Sequence, residues 1–219
     1  MKTKNNILSV DTSSWILSMS IYKNNNFYKK NIKTQDHSDT LFRCLDVMLK
    51  KTKLSIKDLN YVGVNIGPGS FTGLRVGLSF VKTLALELNL EVICVNSFDI
   101  LMYEFMKKSR IYNKKDEIIA LFPSVKNEFY FCRYLIDNKN SKVVEIGYRK
   151  IQELIKNYSD GNFIIPNRLD LENLENLEIT KVNFSSEIII KIFLEDKKNF
   201  YKLINPKNLF PLYIRHTYY

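Results

Sequence analysis

Glycine is scarce in this chain, 7 of 219 residues, and so are histidine (2), cysteine (3) and tryptophan (1). The two histidines, His37 and His216, stand near opposite ends, and no H-x-x-x-H pair exists. A histidine-built metal centre is therefore not expected. Cys44, Cys94 and Cys132 are far apart and lack C-x-x-C spacing. They read as small buried hydrophobes rather than as redox or metal-binding groups. No apolar run approaches the roughly twenty residues that a membrane span needs. Met1 to Asn6 lead into a strand without an apolar signal segment, so a soluble, cytoplasmic protein is expected. Acids are outnumbered, 23 against 33 basic residues, for a formal charge of +10. Lysine supplies most of that excess, scattered beside abundant asparagine, which reads as solvated lysines on every face. An RNA-facing surface is the alternative.

The few glycines are not spread evenly. Gly63, Gly67, Gly69, Gly73 and Gly77 fall within fifteen residues. Ahead of them, Tyr61 to Ile66 is a short β-branched run that reads as a buried strand. After them, Leu74 to Leu88 repeats apolar residues at helical spacing. The unit is strand, glycine loop, helix, with the Ser70 and Thr72 hydroxyls placed to cap the helix. Such a loop either offers backbone N–H groups and a helix N-terminus to an anion or makes a rigid turn where backbones approach closely. The spacing alone leaves both open. Asp11, followed by Thr12, Ser13 and Ser14, ends the first strand. It can orient a metal-bound water or a phosphate, or form an Asx turn that closes the hairpin; the structural role is the expected one. Gly67, Gly69, Ser70, Thr72, Gly73 and Arg75 complete the candidate anion-facing set. For Arg75 a surface ion pair is the simpler reading.

Length allows one large domain or two lobes. Strands are predicted at Ile7–Val10, Trp15–Tyr22, Phe27–Ile32, Tyr61–Ile66 and Glu91–Val95. Helices are predicted over Thr40–Lys51, from Leu74 and from Ser97 to about Met106. Ser55–Asp58 starts like a capping box. A meander followed by alternating helices and strands suits a mixed α/β sheet. A polar, basic stretch, Lys107–Lys115, separates this lobe (1–106) from a smaller, less regular one (107–219). There, strands are expected near Glu117–Phe122, Glu128–Ile136, Lys142–Tyr148 and Asn162–Ile165. Helices are expected near Lys150–Asn157 and Ser185–Leu194, with leucine repeats at Asp170–Glu178 and an extended tail. In the glycine-loop helix, Val76, Phe80 and Leu84 widen the apolar arc to near half the circumference, more than a one-sided helix requires. Either the helix is wedged within its own chain, or a partner packs on Val76, Phe80 and Leu84 beside the helix carrying Leu41, Leu45 and Met48. An exposed strip of that kind is open to a second copy of the chain as well.

The run Gly67-Pro68-Gly69-Ser70-Phe71-Thr72-Gly73-Leu74-Arg75-Val76-Gly77-Leu78-Ser79 resembles the signature of the TsaB (YeaZ) family of bacterial tRNA-modification proteins. The similarity extends to Ile7–Ser13, His37–Leu41, Leu54–Leu59, Asn96-Ser97 and Pro211–Arg215, strong in the first half and weak in the second. It implies a two-lobed fold of the actin, sugar-kinase and Hsp70 superfamily with a reduced second lobe. It also implies a non-catalytic subunit that pairs through its first lobe with the catalytic subunit, TsaD, joined by a small ATPase, TsaE. Together they form N6-threonylcarbamoyladenosine beside the anticodon of tRNAs reading codons that begin with A. On this reading the chain meets tRNA through the complex, binds no cofactor by itself, and any ATP or ADP lies at a subunit boundary. The sequence departs from the family at Pro123, where aspartate is usual, and at Asn127, where glycine is usual. The second half holds only the isolated glycines Gly147 and Gly161, too few to wrap a nucleotide. An autonomous ATP-dependent transferase or kinase and a stand-alone tRNA-binding protein are the alternative readings.

Overall fold

The computed structural model describes residues 5–108, 117–125, 127–137, 140–159, 161–169 and 178–214. The basic stretch beyond Lys108, the leucine repeats at 170–177, Arg215 and His216 lie outside these residues. Two compact units emerge, one from Met1–Ser97 with Ser185–Leu212, the other centred on Phe98–Phe184. The break falls before the predicted one at residue 106, and the chain returns to its first unit near the end.

The first unit holds a mixed sheet of six strands. β1 (Ile7–Asp11), β4 (Tyr61–Asn65) and β5 (Val92–Val95) run parallel; β2 (Ile16–Lys23) and β3 (Asn26–Lys33) extend it as an antiparallel meander. The tail, expected to be merely extended, supplies β11 (Lys202–Ile204) on the far edge, antiparallel to β5. α1 (His37–Thr52) starts three residues before the predicted Thr40. The Asp36 carboxylate caps it, accepting the Ser38 and Asp39 N–H groups at 3.0 and 3.3 Å, which satisfies two donors that the first turn leaves open. α2 (Phe71–Glu87) follows the glycine loop.

Side-chain alternation along the strands gives the sheet two different faces. Leu8, Val10, Leu17, Met19, Ile21, Val62 and Val64 join Leu41, Cys44, Met48, Leu74, Leu78 and Val81 of α1 and α2 in one buried core. Each such side chain removed from water contributes about 1.5–3 kcal/mol. The opposite face carries small residues. Ser9, Ser18 and Ser20 hydrogen-bond Ser186 at 2.8–3.0 Å, and a Cβ on Gly63 would stand 2.8 Å from Ile189. That flat polar strip lets α5 (Ser186–Leu194) lie close on the sheet.

In the second unit, α3 (Ser97–Lys108) leads to β6 (Glu117–Pro123), β7 (Glu128–Asp137) and β8 (Asn140–Lys150). Then come α4 (Ile151–Asn157), β9 (Asn162–Pro166) and β10 (Ile179–Val182), and the sheet order is β10-β9-β6-β7-β8. Ile119, Leu121, Phe131, Leu154 and Phe163 form a core beneath α4. Asn127 has φ of 63°. Where the resemblance implies a glycine, the position holds the residue that best tolerates a left-handed turn after glycine. All three cysteines are buried, and burial pushes the Cys94 and Cys132 thiols up to about 12.

Candidate functional site

Three parallel strands end on one edge of the first sheet, and their last residues form a buried hydrogen-bond cluster. Asp11 closes β1 and is fully buried. Its Oδ1 accepts the Ser13 N–H at 3.1 Å, an Asx turn, and the Asn65 side-chain amide at 3.0 Å. Asn65 closes β4 and also accepts the Gly67 N–H at 2.9 Å. Its amide donates to Ser97 just beyond β5, and the Ser97 hydroxyl donates to the Pro68 carbonyl at 2.6 Å. Asn65 and Ser97 are thus the hubs of the site; the candidate set read from the sequence includes neither, although Ser97 lies in a segment that carries the family resemblance. Asn65 is the one amide in the apolar run Tyr61–Ile66, and that is the signal that marks it.

The glycine loop lies directly on the Asp11–Ser13 turn. The Ser70 N–H donates to the Ser13 carbonyl at 2.7 Å, and the Thr12 hydroxyl to the Gly73 carbonyl at 2.7 Å. Gly67 takes φ of +102°, which side chains rarely adopt. Cβ atoms at Gly69 and Gly73 would overlap the carbonyl oxygens of Ser13 and Thr12, and one at Gly77 would overlap the Thr12 hydroxyl. The glycines are therefore filled against the chain's own first turn. They do not line an open cradle for a phosphate, and the residues present do not fit a nucleotide held by this turn alone. Ser70 caps α2, accepting the Gly73 N–H. Thr72 sits exposed in the first turn and does not share that role. Arg75 is exposed, its guanidinium 3.8 Å from the centre of the Phe71 ring.

Polar atoms without partners gather at this edge. Asp11 Oδ2, Ser13 Oγ and His37 Nδ1 are buried and lack a hydrogen-bond partner among the described residues. Burial holds the His37 imidazole below its ordinary value. A hydrogen bond to the Ser14 backbone and the charges of Asp11 and Asp36 oppose that shift. The folded state therefore takes up fewer protons than the unfolded chain below about pH 6.5, the free imidazole value. Stability rises with pH through that window and levels off above it. Urea midpoints are expected to fall between pH 7 and 5, and to fall less in His37→Gln. An identical decline in that variant would assign the effect to other groups.

A second surface lies between α1 and α2, an apolar groove of about 650 Å³. Of the predicted interface residues, Leu41, Leu45, Val76, Phe80 and Leu84 line it, joined by Phe42 and Ile56. Met48 does not line it, and Leu41, though it borders the groove, offers a partner almost no surface; both are 1% exposed and belong to the sheet core. Phe42, which the predicted set omits, is 65% exposed and meets Phe80 edge to face at 5.5 Å. It lies off the α1 core stripe, next to Arg43, where an aromatic has no core to fill.

Comparison with known proteins agrees with this architecture. A family model described as TsaD, tRNA N6-adenosine threonylcarbamoyltransferase, matches residues 21–204. The tRNA threonylcarbamoyladenosine biosynthesis protein TsaB of Buchnera aphidicola subsp. Acyrthosiphon pisum is 31% identical over 211 residues, which cover 94% of this chain and 87% of the relative. The protein of the same name from Buchnera aphidicola subsp. Schizaphis graminum is 27% identical, over 88% of this chain and 95% of its own. The solved structure of YeaZ from Pseudomonas aeruginosa superposes with a TM-score of 0.72 at 14% identity, over 95% of this chain and 99% of that one. At that identity the likeness concerns the fold.

Proposed function

The chain belongs to the TsaB (YeaZ) family of tRNA threonylcarbamoyladenosine biosynthesis proteins, and we propose that within this biosynthesis it is a non-catalytic activator subunit. Its partner is a TsaD-like catalytic subunit docked in the α1/α2 groove, with a TsaE-like ATPase joining the pair. The observation that carries the reading is the sealed strand-end turn. Where a phosphate would approach Gly69 and Gly73, the backbone of Ser13 and Thr12 already stands, and at Gly77 the Thr12 side chain does. The sequence adds that it carries no H-x-x-x-H spacing. ATP or ADP, on this reading, is held at a boundary of the assembly. No helix among the described residues is long and apolar enough to cross a membrane, and the work of the complex is assigned to the cytoplasm.

The test is reconstitution. The purified chain alone should neither hydrolyse ATP nor modify a tRNA transcript, and adding it to TsaD-like and TsaE-like subunits should raise threonylcarbamoyladenosine formation. Turnover by the isolated chain that disappears in Asp11→Ala would overturn the proposal and make the protein an enzyme.

A further inference from the structure

Acidic residues are excluded from two long segments of this chain. None of its 23 aspartates and glutamates falls between Asp58 and Glu87, and none from Lys197 to Tyr219. The fold packs these two segments together. After β11 the chain makes a helical turn at Pro206–Asn208, tucks Leu209 into the core that also holds Leu78 and Val81, and runs back along α2. The Leu212 N–H then donates to the Ile66 carbonyl at 2.8 Å, at the start of the glycine loop. Lys82 joins strap to helix, donating to the Lys207 carbonyl at 3.3 Å.

At about 100° per residue, Phe71, Arg75 and Lys82 lie within roughly 40° of one another on α2. They form a ridge turned away from Val76, Phe80 and Leu84. Cations and aromatic rings alternate along it. Arg75 stacks on Phe71, and the Lys82 ammonium lies 5.0 Å from the centre of the Phe210 ring. Phe71 is 40% exposed and Phe210 67%, the most exposed large apolar side chain among the described residues. Lys207 is exposed beside them. Glu87, the acid that ends the first segment, lines the groove, which Arg75 also borders, and stands about 120–160° around the helix from Phe71, Arg75 and Lys82.

We propose that this ridge binds RNA, with Arg75, Lys82 and Lys207 against phosphates and Phe210 and Phe71 as stacking faces for unpaired bases. A strip of positive charge free of carboxylates attracts any polyanion. Flat aromatic faces set between the cations select a nucleic acid, because bases stack on them and carboxylate side chains do not. This deepens the reading above by putting the RNA substrate in contact with this chain. Phe71, Lys82, Lys207 and Phe210 do not line the groove, whereas Arg75 borders it, so a subunit docked in the groove leaves those four residues open.

The experiment is a fluorescence-anisotropy titration of an unmodified tRNA transcript with the purified chain over a series of salt concentrations. Lys82→Glu/Lys207→Glu is expected to weaken binding by about tenfold or more and to lower the salt slope by about 2, one for each phosphate contact. Phe210→Ala should weaken binding several-fold with the slope unchanged, the mark of a stacking contact. Lys50→Glu/Lys51→Glu on α1 should change little, and Phe42→Asp in the groove should leave RNA binding intact while removing the partner. Should the double reversal disturb the strap, Lys207→Glu and Phe210→Ala, both at exposed positions, carry the test. Equal losses from the α1 reversal would show diffuse attraction in place of a site. Absence of salt-dependent tRNA binding by the unaltered chain, or displacement of tRNA by polyglutamate at equal charge, would overturn the proposal. Neither result bears on whether the groove holds a TsaD-like subunit.

Discussion

Gly73→Ala is expected to destabilise the protein by about 1–3 kcal/mol, the usual cost of forcing a methyl group into packed structure. On propensity alone the same change inside a helix stabilises by about 1 kcal/mol, so the sign of the effect is informative. The added Cβ would overlap the Thr12 carbonyl oxygen, which is backbone and cannot swing aside. α2 would have to lift from the β1–β2 turn. That shift stretches the Thr12 hydroxyl bond to the Gly73 carbonyl and the Ser70 N–H bond to Ser13. Gly77→Ala makes the contrasting case, because its Cβ would meet the Thr12 hydroxyl. Thr12→Ala removes that hydroxyl and should recover part of the loss in Gly77→Ala, while leaving Gly73→Ala as damaged as before. Urea denaturation of the four variants reads both effects. A Gly73→Ala protein as stable as the parent would mean that the loop does not pack as described, and the anion-binding reading of the glycines would return.

The loop shows what can be read from sequence. Five glycines in fifteen residues announce close approach, and the strand–loop–helix order around them is found as expected. Spacing does not disclose what approaches. A phosphate and a neighbouring backbone make the same demand, a missing Cβ, and the choice between them needs the position of Thr12 and Ser13, some sixty residues away. The return of α5 to the first sheet is hidden for a related reason. Ser9, Ser18, Ser20 and Gly63 look like interruptions in apolar strands until alternation sets them on one face, where α5 requires a flat surface. Leu41 and Phe42 illustrate the limit on faces. The apolar stripe through Leu41, Leu45 and Met48 is correct as a stripe, yet mostly serves the core, because a helix with one sheet to cover spends its stripe there. The surface residue is the phenylalanine that breaks the pattern.

That phenylalanine sets the remaining prediction. Phe42→Asp is expected to raise the dissociation constant for a TsaD-like subunit at least about 100-fold, corresponding to roughly 2.7 kcal/mol. Two effects add. A central aromatic anchor is commonly worth 2 kcal/mol or more in an interface, and a carboxylate trapped there without a counter-charge costs several more. In the free chain the same substitution touches little, since Phe42 is 65% exposed and its neighbour Phe80 keeps its contacts with the core. The variant should therefore melt with the parent, which Phe80→Asp, half-buried in the same groove, does not guarantee. Val47→Asp provides the control. Val47 is 44% exposed on the side of α1 away from the groove, and its change should leave affinity unaltered. Titration calorimetry with the purified subunit, alongside sedimentation of the chain alone, separates the outcomes. Folded Phe42→Asp protein that binds as tightly as the parent would move the interface elsewhere. Conversion of a self-associated parent to monomer by Phe42→Asp, without any effect on the TsaD-like subunit, would assign the groove to a second copy of this chain.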